Sequence, residues 1–334
     1  MTKTVGDLGE QGLLKKLQKF CPTDIVGDDG AIVTLAAQHN LVVTTDVLVD
    51  GVHFSDHTTP PESVGWRAAA ANLSDLAAMG ANPVGITVGL SLTPDTSVSW
   101  VESLYQGMSN CLAKYHTCIL GGDIVRSRVN SLAITALGET LPHQAIRRST
   151  AQPGDAIVVT GFHGDSRGGL ELLLSREIGQ NLSSSERESL IKAHQYPTPR
   201  LDILEHLGKI KINHSVSVAG MDSSDGLADA IVQICRCSGV GATLEYPAIP
   251  ISPSLNKLVN LEQTLNWALY GGEDFELVLC LAPEMAENLI AAIDAPAAIV
   301  GKITAEKVVK IINCPGINSE ISLSLKEGFQ HFSR

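Results

Sequence analysis

Asn72-Leu-Ser-Asp-Leu-Ala-Ala-Met-Gly-Ala-Asn-Pro83 closes a predicted helix that begins at Pro61. Proline in the first turn, an alanine-rich body, and Gly80 before a second proline are the start, middle and stop signals of a helix. Three polar residues lie inside it, although such side chains compete with a helix for backbone hydrogen bonds. They are Asn72, Ser74 and Asp75. This conflict is typical of a functional site; a solvated polar face with a helix kink is the alternative interpretation.

Short acidic segments flanked by glycine or threonine recur along the whole chain. Most of them adjoin an apolar run, so we expect them where a strand ends and the chain turns. Carboxylates on such turns can converge from distant positions, and hard oxygen ligands suit Mg²⁺, which keeps several waters and bridges to substrate phosphates. The segments are Gly27-Asp-Asp-Gly30, Thr44-Thr-Asp46, Asp75, Gly121-Gly-Asp123, Asp222-Ser-Ser-Asp-Gly226 and Gly271-Gly-Glu-Asp274.

Composition narrows the class of protein. The chain has 334 residues, long enough for two domains, with 44% hydrophobic and 18% charged residues. It shows no signal peptide and no apolar run that could span a membrane, so we expect a cytoplasmic protein with no membrane partner. Seven cysteines without a C-x-x-C pair argue against a disulfide framework and a zinc site. A net charge of −12 argues against nucleic acid, although metal ions would let an acidic protein bind ATP.

Strands and helices alternate in both halves of the chain, which predicts an α/β fold. The segment Ala151-Gln-Pro-Gly-Asp155 interrupts the pattern and Ala156–Thr160 opens a new unit, so we place the domain boundary between residues 147 and 148. The predicted domains are residues 1–147 and 148–334. The strands predicted in the first are Ala31–Leu35, Leu41–Thr45, Val84–Leu92 and Ser131–Gly138.

Several common motifs are absent. There is no Walker-type phosphate loop and no Gly-x-Ser-x-Gly elbow. Gly239-Val-Gly241 ends a predicted helix and enters a strand, the reverse of a dinucleotide-binding turn, so we interpret it as a helix stop. His53 and His57 lie in a predicted loop, which argues against a zinc-binding helix.

The acidic segments and their neighbours together resemble the thiamine-monophosphate kinase family. The similarity extends from about residue 24 to the closing Gly328-Phe-Gln-His-Phe332, so it covers nearly the whole chain. Any one of these motifs is weak, whereas the full set in the same order is specific. The motifs are Gly27-Asp-Asp-Gly-Ala31, Thr45-Asp46 with Gly51-Val-His-Phe54, Asn72–Ala81, Gly121-Gly-Asp123, Ser224-Asp-Gly-Leu227 and Gly271-Gly-Glu-Asp-Phe-Glu-Leu277.

This resemblance implies a fold, a reaction and partners. The fold is of the aminoimidazole ribonucleotide synthetase type: two α/β domains, with the N-terminal sheets forming a barrel in a homodimer and nucleotide bound near the domain junction. The N-terminal domain is expected to bind ATP and Mg²⁺ and to dimerise. In the implied reaction the γ-phosphoryl group of ATP passes to thiamine monophosphate, giving thiamine diphosphate, with several Mg²⁺ ions as cofactors.

The resemblance also assigns roles residue by residue. The implied Mg²⁺ ligands are Asp29, Thr44, Thr45, Asp46, Asp75, Asp123, Asp222 and Asp225. The implied ATP and substrate contacts are His53, Gly122, Asp123, Arg148, Ser224, Glu273 and Phe329, and the implied catalytic residues are Asp46, Asp75 and Asp225. Two positions depart from the family: Gly30 replaces the usual alanine, and Ile124 stands where threonine is common, so no role is carried over to Ile124. For Arg148, an interdomain surface salt bridge is the alternative.

The chemistry is consistent with these residues. Phosphoryl transfer needs in-line positioning and neutralised charge more than covalent chemistry, and a phosphate acceptor is already ionised near neutral pH. A strong general base is therefore not required. Two alternatives remain open: another ATP-dependent enzyme of the superfamily, or a non-catalytic Mg²⁺- or nucleotide-binding regulator. Selenophosphate synthetase would need a reactive cysteine in a glycine-rich loop, which Cys21 lacks, and a hydrogenase-maturation relative would need a C-terminal cysteine.

Overall fold

The structure, a computed structural model, describes residues 3–22, 30–175, 177–213, 217–315 and 320–328. The chain forms two compact units, one of residues 1–76 and 81–142 and the other of residues 77–80 and 143–334. The predicted boundary between residues 147 and 148 stays a prediction. None of the helices in these described ranges combines the length and the apolar character that a membrane span requires.

The first unit is built on a four-stranded sheet of order β1-β4-β2-β3. β4 is antiparallel to both of its neighbours, and β2 and β3 are parallel. The strands are β1 (Asn40–Val49), β2 (Asn82–Leu92), β3 (Ile119–Arg126) and β4 (Ser131–Thr140); the helices are α1 (Val5–Leu8), α2 (Glu10–Leu17), α3 (Pro61–Ala78) and α4 (Val98–Lys114), with a 3-10 turn at Gln18–Phe20.

The two faces of this sheet have different environments. On one face, alternate residues of β2 and β4 are fully buried, for example Val88 and Ile134. The opposite face carries apolar side chains that are about half exposed. We call it the open face, and it is defined by Leu41 (50% exposed), Val43 (54%) and Val47 (51%) on β1 and Val125 (49%) on β3. Three of these four side chains lie in one row along β1, and such exposed apolar groups are typical of an interaction surface.

Helices α3 and α4 pack closely because glycine occurs at both contact points. A Cβ atom on Gly65 would lie 1.8 Å from the carbonyl oxygen of Leu104, and one on Gly107 would lie 1.8 Å from that of Glu62. The predicted helix from Pro61 and its stop at Gly80 are confirmed, since α3 ends at Ala78 and Gly80 has φ 69°.

The polar residues inside α3 are not a solvated face. Asn72 and Ser74 are fully buried and Asp75 is half-buried. The amide of Asn72 donates a hydrogen bond to the carbonyl oxygen of Ala68, 3.0 Å away, in the preceding turn of the helix. The interpretation of these residues as a solvated polar surface is therefore wrong.

The second unit contains a mixed seven-stranded sheet of order β11-β10-β7-β9-β5-β8-β6, in which β10 and β7 are parallel and the other pairs antiparallel. The strands are β5 (Ala156–Thr160), β6 (Ala219–Asp222), β7 (Gly241–Glu245), β8 (Leu277–Leu281), β9 (Ala297–Thr304), β10 (Val309–Ile312) and β11 (Ile321–Ser322). The helices are α5 (Asp165–Leu174), α6 (Ser184–Gln195), α7 (Asp202–Asn213), α8 (Leu227–Ser238), α9 (Pro253–Leu258), α10 (Leu261–Tyr270) and α11 (Pro283–Ala292), with a 3-10 turn at Tyr246–Ala248.

Both faces of this sheet are covered. Ile157 and Val159 of β5 belong to a core that includes Ile231 of α8, whereas Val158 belongs to a second core that includes Leu207 of α7. Successive side chains of a strand point to opposite faces, so β5 contributes to both cores and is buried along its whole length. The helix stop predicted at Gly239 is confirmed, because this residue ends α8 in the left-handed conformation.

Two groups of sequence predictions are wrong. The run Ala31–Leu35 forms no strand, and Ile32 is 95% exposed. Nearby, the backbone N–H of Ala36 donates to the side-chain carboxylate of Glu139, 2.8 Å away, and not to a backbone carbonyl of a neighbouring strand. The acidic segments 44–46 and 121–123 do not lie on turns but inside β1 and β3. An apolar run adopts the strand state only where a partner strand can pair with it, and that partner is not encoded locally.

Candidate active site

Three of the predicted ligands lie on the buried side of the first sheet. The hydroxyl of Thr44 donates a hydrogen bond to the carboxylate of Asp75, which joins β1 to α3. Asp46 follows two residues after Thr44 on the same strand, so its side chain leaves the same face. The first unit therefore presents one hydroxyl and two carboxylates on this face, a set of hard oxygen donors.

Two other predicted ligands lie on the open face. The side chain of Thr45 points to the opposite face of β1 from those of Thr44 and Asp46, and its hydroxyl is 2.9 Å from that of Thr135 on β4. Asp123 pairs across the sheet with Gly89, Ala133 and Val47 in turn, so it shares the face of Val47. The side chains of Thr45 and Asp123 thus point away from the face that carries Asp46.

The glycine before Asp123 is required by strand packing. Gly122 pairs with Val88, and a Cβ atom at this position would lie 2.1 Å from the Val88 carbonyl oxygen. The carboxylate of Asp123 is exposed and accepts a hydrogen bond from the N–H of Ile124, 2.9 Å away. The glycine is therefore explained by strand packing, and the functional group at this position is the exposed carboxylate of Asp123 on the edge strand β3.

His53 lies in the turn that follows β1. Its Nδ1 accepts a hydrogen bond from the backbone N–H of Val49, 3.1 Å away, which assigns the proton of the neutral ring to Nε2. A second bond runs from the His53 N–H to the carbonyl oxygen of Val49, 2.9 Å away. The half-buried ring is thereby held with its donor atom directed away from the strand.

In the second unit, the structure brings together two segments that are distant in sequence. Asp222 ends β6, and its carboxylate accepts a hydrogen bond from the hydroxyl of Ser224, 3.1 Å away. The backbone N–H of Glu273 donates to the carbonyl oxygen of Ser224 at 2.7 Å. Asp225 follows, exposed, immediately before α8. Four predicted site residues of this unit are therefore carried by two adjacent segments, with Asp222 buried and Ser224, Asp225 and Glu273 at least partly exposed.

The segment that carries Glu273 has unusual backbone geometry. Gly272, Glu273 and Phe275 have φ values of 67°, 58° and 53°. Positive φ is costly for residues other than glycine, and such residues cluster at ligand sites where the surrounding structure holds them in place. We call residues 271–276 the left-handed loop.

A buried polar network lies under the left-handed loop, and the sequence predictions missed it. The carboxylate of Asp274 accepts hydrogen bonds from the N–H groups of Gly164 (2.7 Å) and Ser166 (3.0 Å) at the start of α5. Burial raises the pKa of Asp274 well above its usual value, although these hydrogen bonds act in the opposite direction. Glu276 pairs with the buried guanidinium of Arg200, 2.8 Å away. The sequence feature that could have indicated this network is the pair of carboxylates at 274 and 276, next to Glu273.

Arg148 is exposed at the start of the second unit. Its Nη1 donates to the side-chain oxygen of Gln233 on α8, 2.8 Å away. Gln233 is a neutral amide and not a carboxylate, so this contact does not neutralise the positive charge of the guanidinium. Asp29 and Phe329 lie outside the described residues.

Within the described parts of the chain, no group of three or more His, Cys, Asp or Glu side chains lies close enough together to hold a metal ion. The predicted ligands are divided between the two units and the two faces of the first sheet. Their roles as metal ligands stay predictions.

Comparison with known proteins identifies the family. Models of the AIR synthase related protein match the chain in both halves, the N-terminal domain over residues 27–140 and the C-terminal domain over residues 152–313. A thiamine-monophosphate kinase from Synechococcus elongatus is 51% identical over 332 residues, covering 99% of this chain and 98% of its own. The chain belongs to the thiamine-monophosphate kinase family. The resemblance drawn from the motifs is thereby confirmed.

Solved structures of the thiamine-monophosphate kinase family agree with this assignment. The enzyme from Stenotrophomonas maltophilia is 33% identical, with a TM-score of 0.77 over 90% of this chain and 94% of its own. AaThiL, solved in complex with AMPPCP and TMP, is 31% identical, with a TM-score of 0.71 over 93% of this chain and 96% of its own. The predicted two-domain α/β fold is confirmed.

Proposed function

We propose that this chain transfers the γ-phosphoryl group of ATP to thiamine monophosphate, producing thiamine diphosphate and ADP. The observation that carries the proposal is the identity of 51% with a thiamine-monophosphate kinase along nearly the whole chain. The related structure with bound AMPPCP, an ATP analogue, and TMP supports the same pair of substrates. The enzyme acts in the cytoplasm, where ATP is available.

The donor set of the first unit suits Mg²⁺ as the metal. Thr44, Asp46 and Asp75 offer hydroxyl and carboxylate oxygens without nitrogen or sulfur ligands. Mg²⁺ prefers such donors, and one or two carboxylates are enough because waters and substrate phosphates complete its shell. We propose that these residues hold Mg²⁺ in the first unit, and that Asp222 and Asp225 are metal ligands of the second unit. When bound, the metal neutralises the phosphate oxygens that would otherwise repel each other.

The remaining residues bind and orient the substrates. The exposed guanidinium of Arg148 suits a phosphate, which it can contact through two N–H groups. His53 presents a neutral Nε2–H donor. The carboxylate of Glu273 is partly exposed, so it can contact thiamine monophosphate. Direct in-line transfer follows from this set, because an ionised phosphate acceptor needs no activated protein nucleophile.

We also propose that the chain forms a homodimer through the open face. Four apolar side chains of this face are about half exposed, along one strand and at the opposite edge of the sheet. Covering this surface with a second copy removes apolar area from water and places two sheets face to face, as expected for the barrel implied by the resemblance.

A coupled assay for ADP release tests the activity. We expect rapid release with thiamine monophosphate, slow release with thiamine or nucleoside monophosphates, and loss of release in a chelator with recovery on adding Mg²⁺. ADP release that depends on a different acceptor would assign the chain to another ATP-dependent reaction. Activity that survives complete metal removal would contradict the role of Mg²⁺.

A further inference from the structure

His194 contacts the left-handed loop from inside the second unit. This residue lies in the last turn of α6 and is only 2% exposed. Its Nδ1 is 3.3 Å from the hydroxyl of Ser166 on α5 and 3.7 Å from a carboxylate oxygen of Glu273. The Glu273 side chain is 35% exposed, so it is in contact with His194 on its buried side and accessible to a ligand on the other.

The backbone of the left-handed loop is held independently of this histidine. The N–H of Glu273 donates to Ser224, and the carboxylate of Asp274 accepts from two N–H groups of α5. These contacts set the position of the Glu273 Cα atom but not its side-chain torsions. Ordering a glutamate side chain costs rotamer entropy, so a group that orders it beforehand favours ligand binding.

We propose that His194 is a positioning residue that orients the carboxylate of Glu273 toward thiamine monophosphate. At 3.7 Å the contact between Nδ1 and the carboxylate is electrostatic and not a hydrogen bond, and it is attractive when the imidazole proton is on Nδ1. The Ser166 hydroxyl holds the same edge of the ring and limits its rotation. The inference rests on the proposed function and adds to it the residue that prepares one acceptor contact.

Two substitutions separate positioning from packing. His194→Phe keeps a ring of similar volume without an N–H group, whereas His194→Asn loses volume but keeps a donor near the position of Nδ1. Under the proposal, His194→Phe raises KM for thiamine monophosphate roughly tenfold, the size expected for a lost interaction with a charged group, and changes KM for ATP by less than about twofold. His194→Asn raises it clearly less. His206→Phe, on α7, is the matched control and leaves both constants unchanged.

A double-mutant cycle with Glu273→Ala tests whether the effect passes through Glu273. If it does, Glu273→Ala alone raises KM for thiamine monophosphate, and adding His194→Phe changes it by no more than about twofold. Should His194→Phe fold too poorly to assay, His194→Gln takes its place, because its amide reaches the position of Nε2 and not that of Nδ1. His194→Gln is then expected to be more impaired than His194→Asn.

The possible failures are distinguishable. A wild-type protein that does not phosphorylate thiamine monophosphate overturns the proposed function and this inference with it. An active wild type whose KM is unaffected by Glu273→Ala overturns the inference alone. Two results would show that His194 only packs the core. One is an equal rise in KM in His194→Phe and His194→Asn that adds to the rise caused by Glu273→Ala. The other is an equal effect on KM for ATP and on KM for thiamine monophosphate.

Discussion

Replacing Arg200 with methionine should strongly destabilise the second unit. Arg200 lies in the segment that joins α6 to α7, and its buried guanidinium contacts Glu276 at 2.8 Å and Asp202 at 2.9 Å. Methionine keeps much of the apolar stem but removes the charge. Glu276, itself nearly buried, then retains the hydroxyl of Thr160, 2.6 Å away, as a neutral donor.

The magnitude follows from the burial of the pair. Burial raises the pKa of Glu276, and the charge of Arg200 opposes that rise. Removing one partner of a buried ion pair leaves an uncompensated charge and costs roughly 3–5 kcal/mol. For a folding unit of this size each kcal/mol corresponds to about 2–4 °C in Tm. We therefore expect Arg200→Met to melt roughly 6–20 °C below wild type at pH 8.

Calorimetry at two pH values tests this reasoning. At pH 5 the difference from wild type should shrink, because the raised pKa of Glu276 lets it take up a proton once Arg200 is absent. The double variant Arg200→Met/Glu276→Gln should recover at least half of the loss, since the orphaned charge is gone. Lys209→Met breaks an exposed pair with Glu205 and should stay within about 2 °C of wild type. An Arg200→Met protein that melts like this control would refute the argument.

Three further predictions concern the first unit, the open face and a buried histidine. Asp75→Asn keeps an acceptor for Thr44 but removes a negative charge, so we expect almost no activity with a Tm in chelator at or above that of wild type; a clear fall in Tm would make Asp75 a structural residue. Val43→Lys should sediment as a monomer at micromolar concentration, whereas Leu261→Lys in the second unit should give twice the 35.3 kDa chain mass; a dimeric Val43→Lys would contradict the open-face interface. His163 is fully buried, its ring nitrogens have no hydrogen-bond partner among the described residues, and burial lowers its pKa to about 4. Because folding keeps this ring neutral, the free energy of unfolding of the wild type should fall by roughly 3 kcal/mol as the pH falls from 6.5 to about 4. In urea unfolding over that pH range, His163→Phe should lose less stability than wild type; the same pH dependence in both proteins would contradict this.

The sequence alone determined the features that depend on neighbouring residues. The helix from Pro61, its stop at Gly80 and the stop at Gly239 follow from local backbone preferences, and all three are confirmed. The order of the acidic motifs along the chain was sufficient to identify the family. These signals act over a few residues or survive as a pattern of residue types, so no partner has to be known to interpret them.

Tertiary structure decided which of these residues can act together. Thr44 and Asp46 leave one face of β1 whereas Thr45 leaves the other, and the pairing of β1 with β4 decides which of these faces is turned toward α3. Arg200 and Glu276 are 76 residues apart, and nothing near either predicts the other. The run Ala31–Leu35 resembles a strand but pairs with none. Strand pairing and burial are long-range properties of the fold, and a single sequence records the residue types without recording which distant partner each one meets.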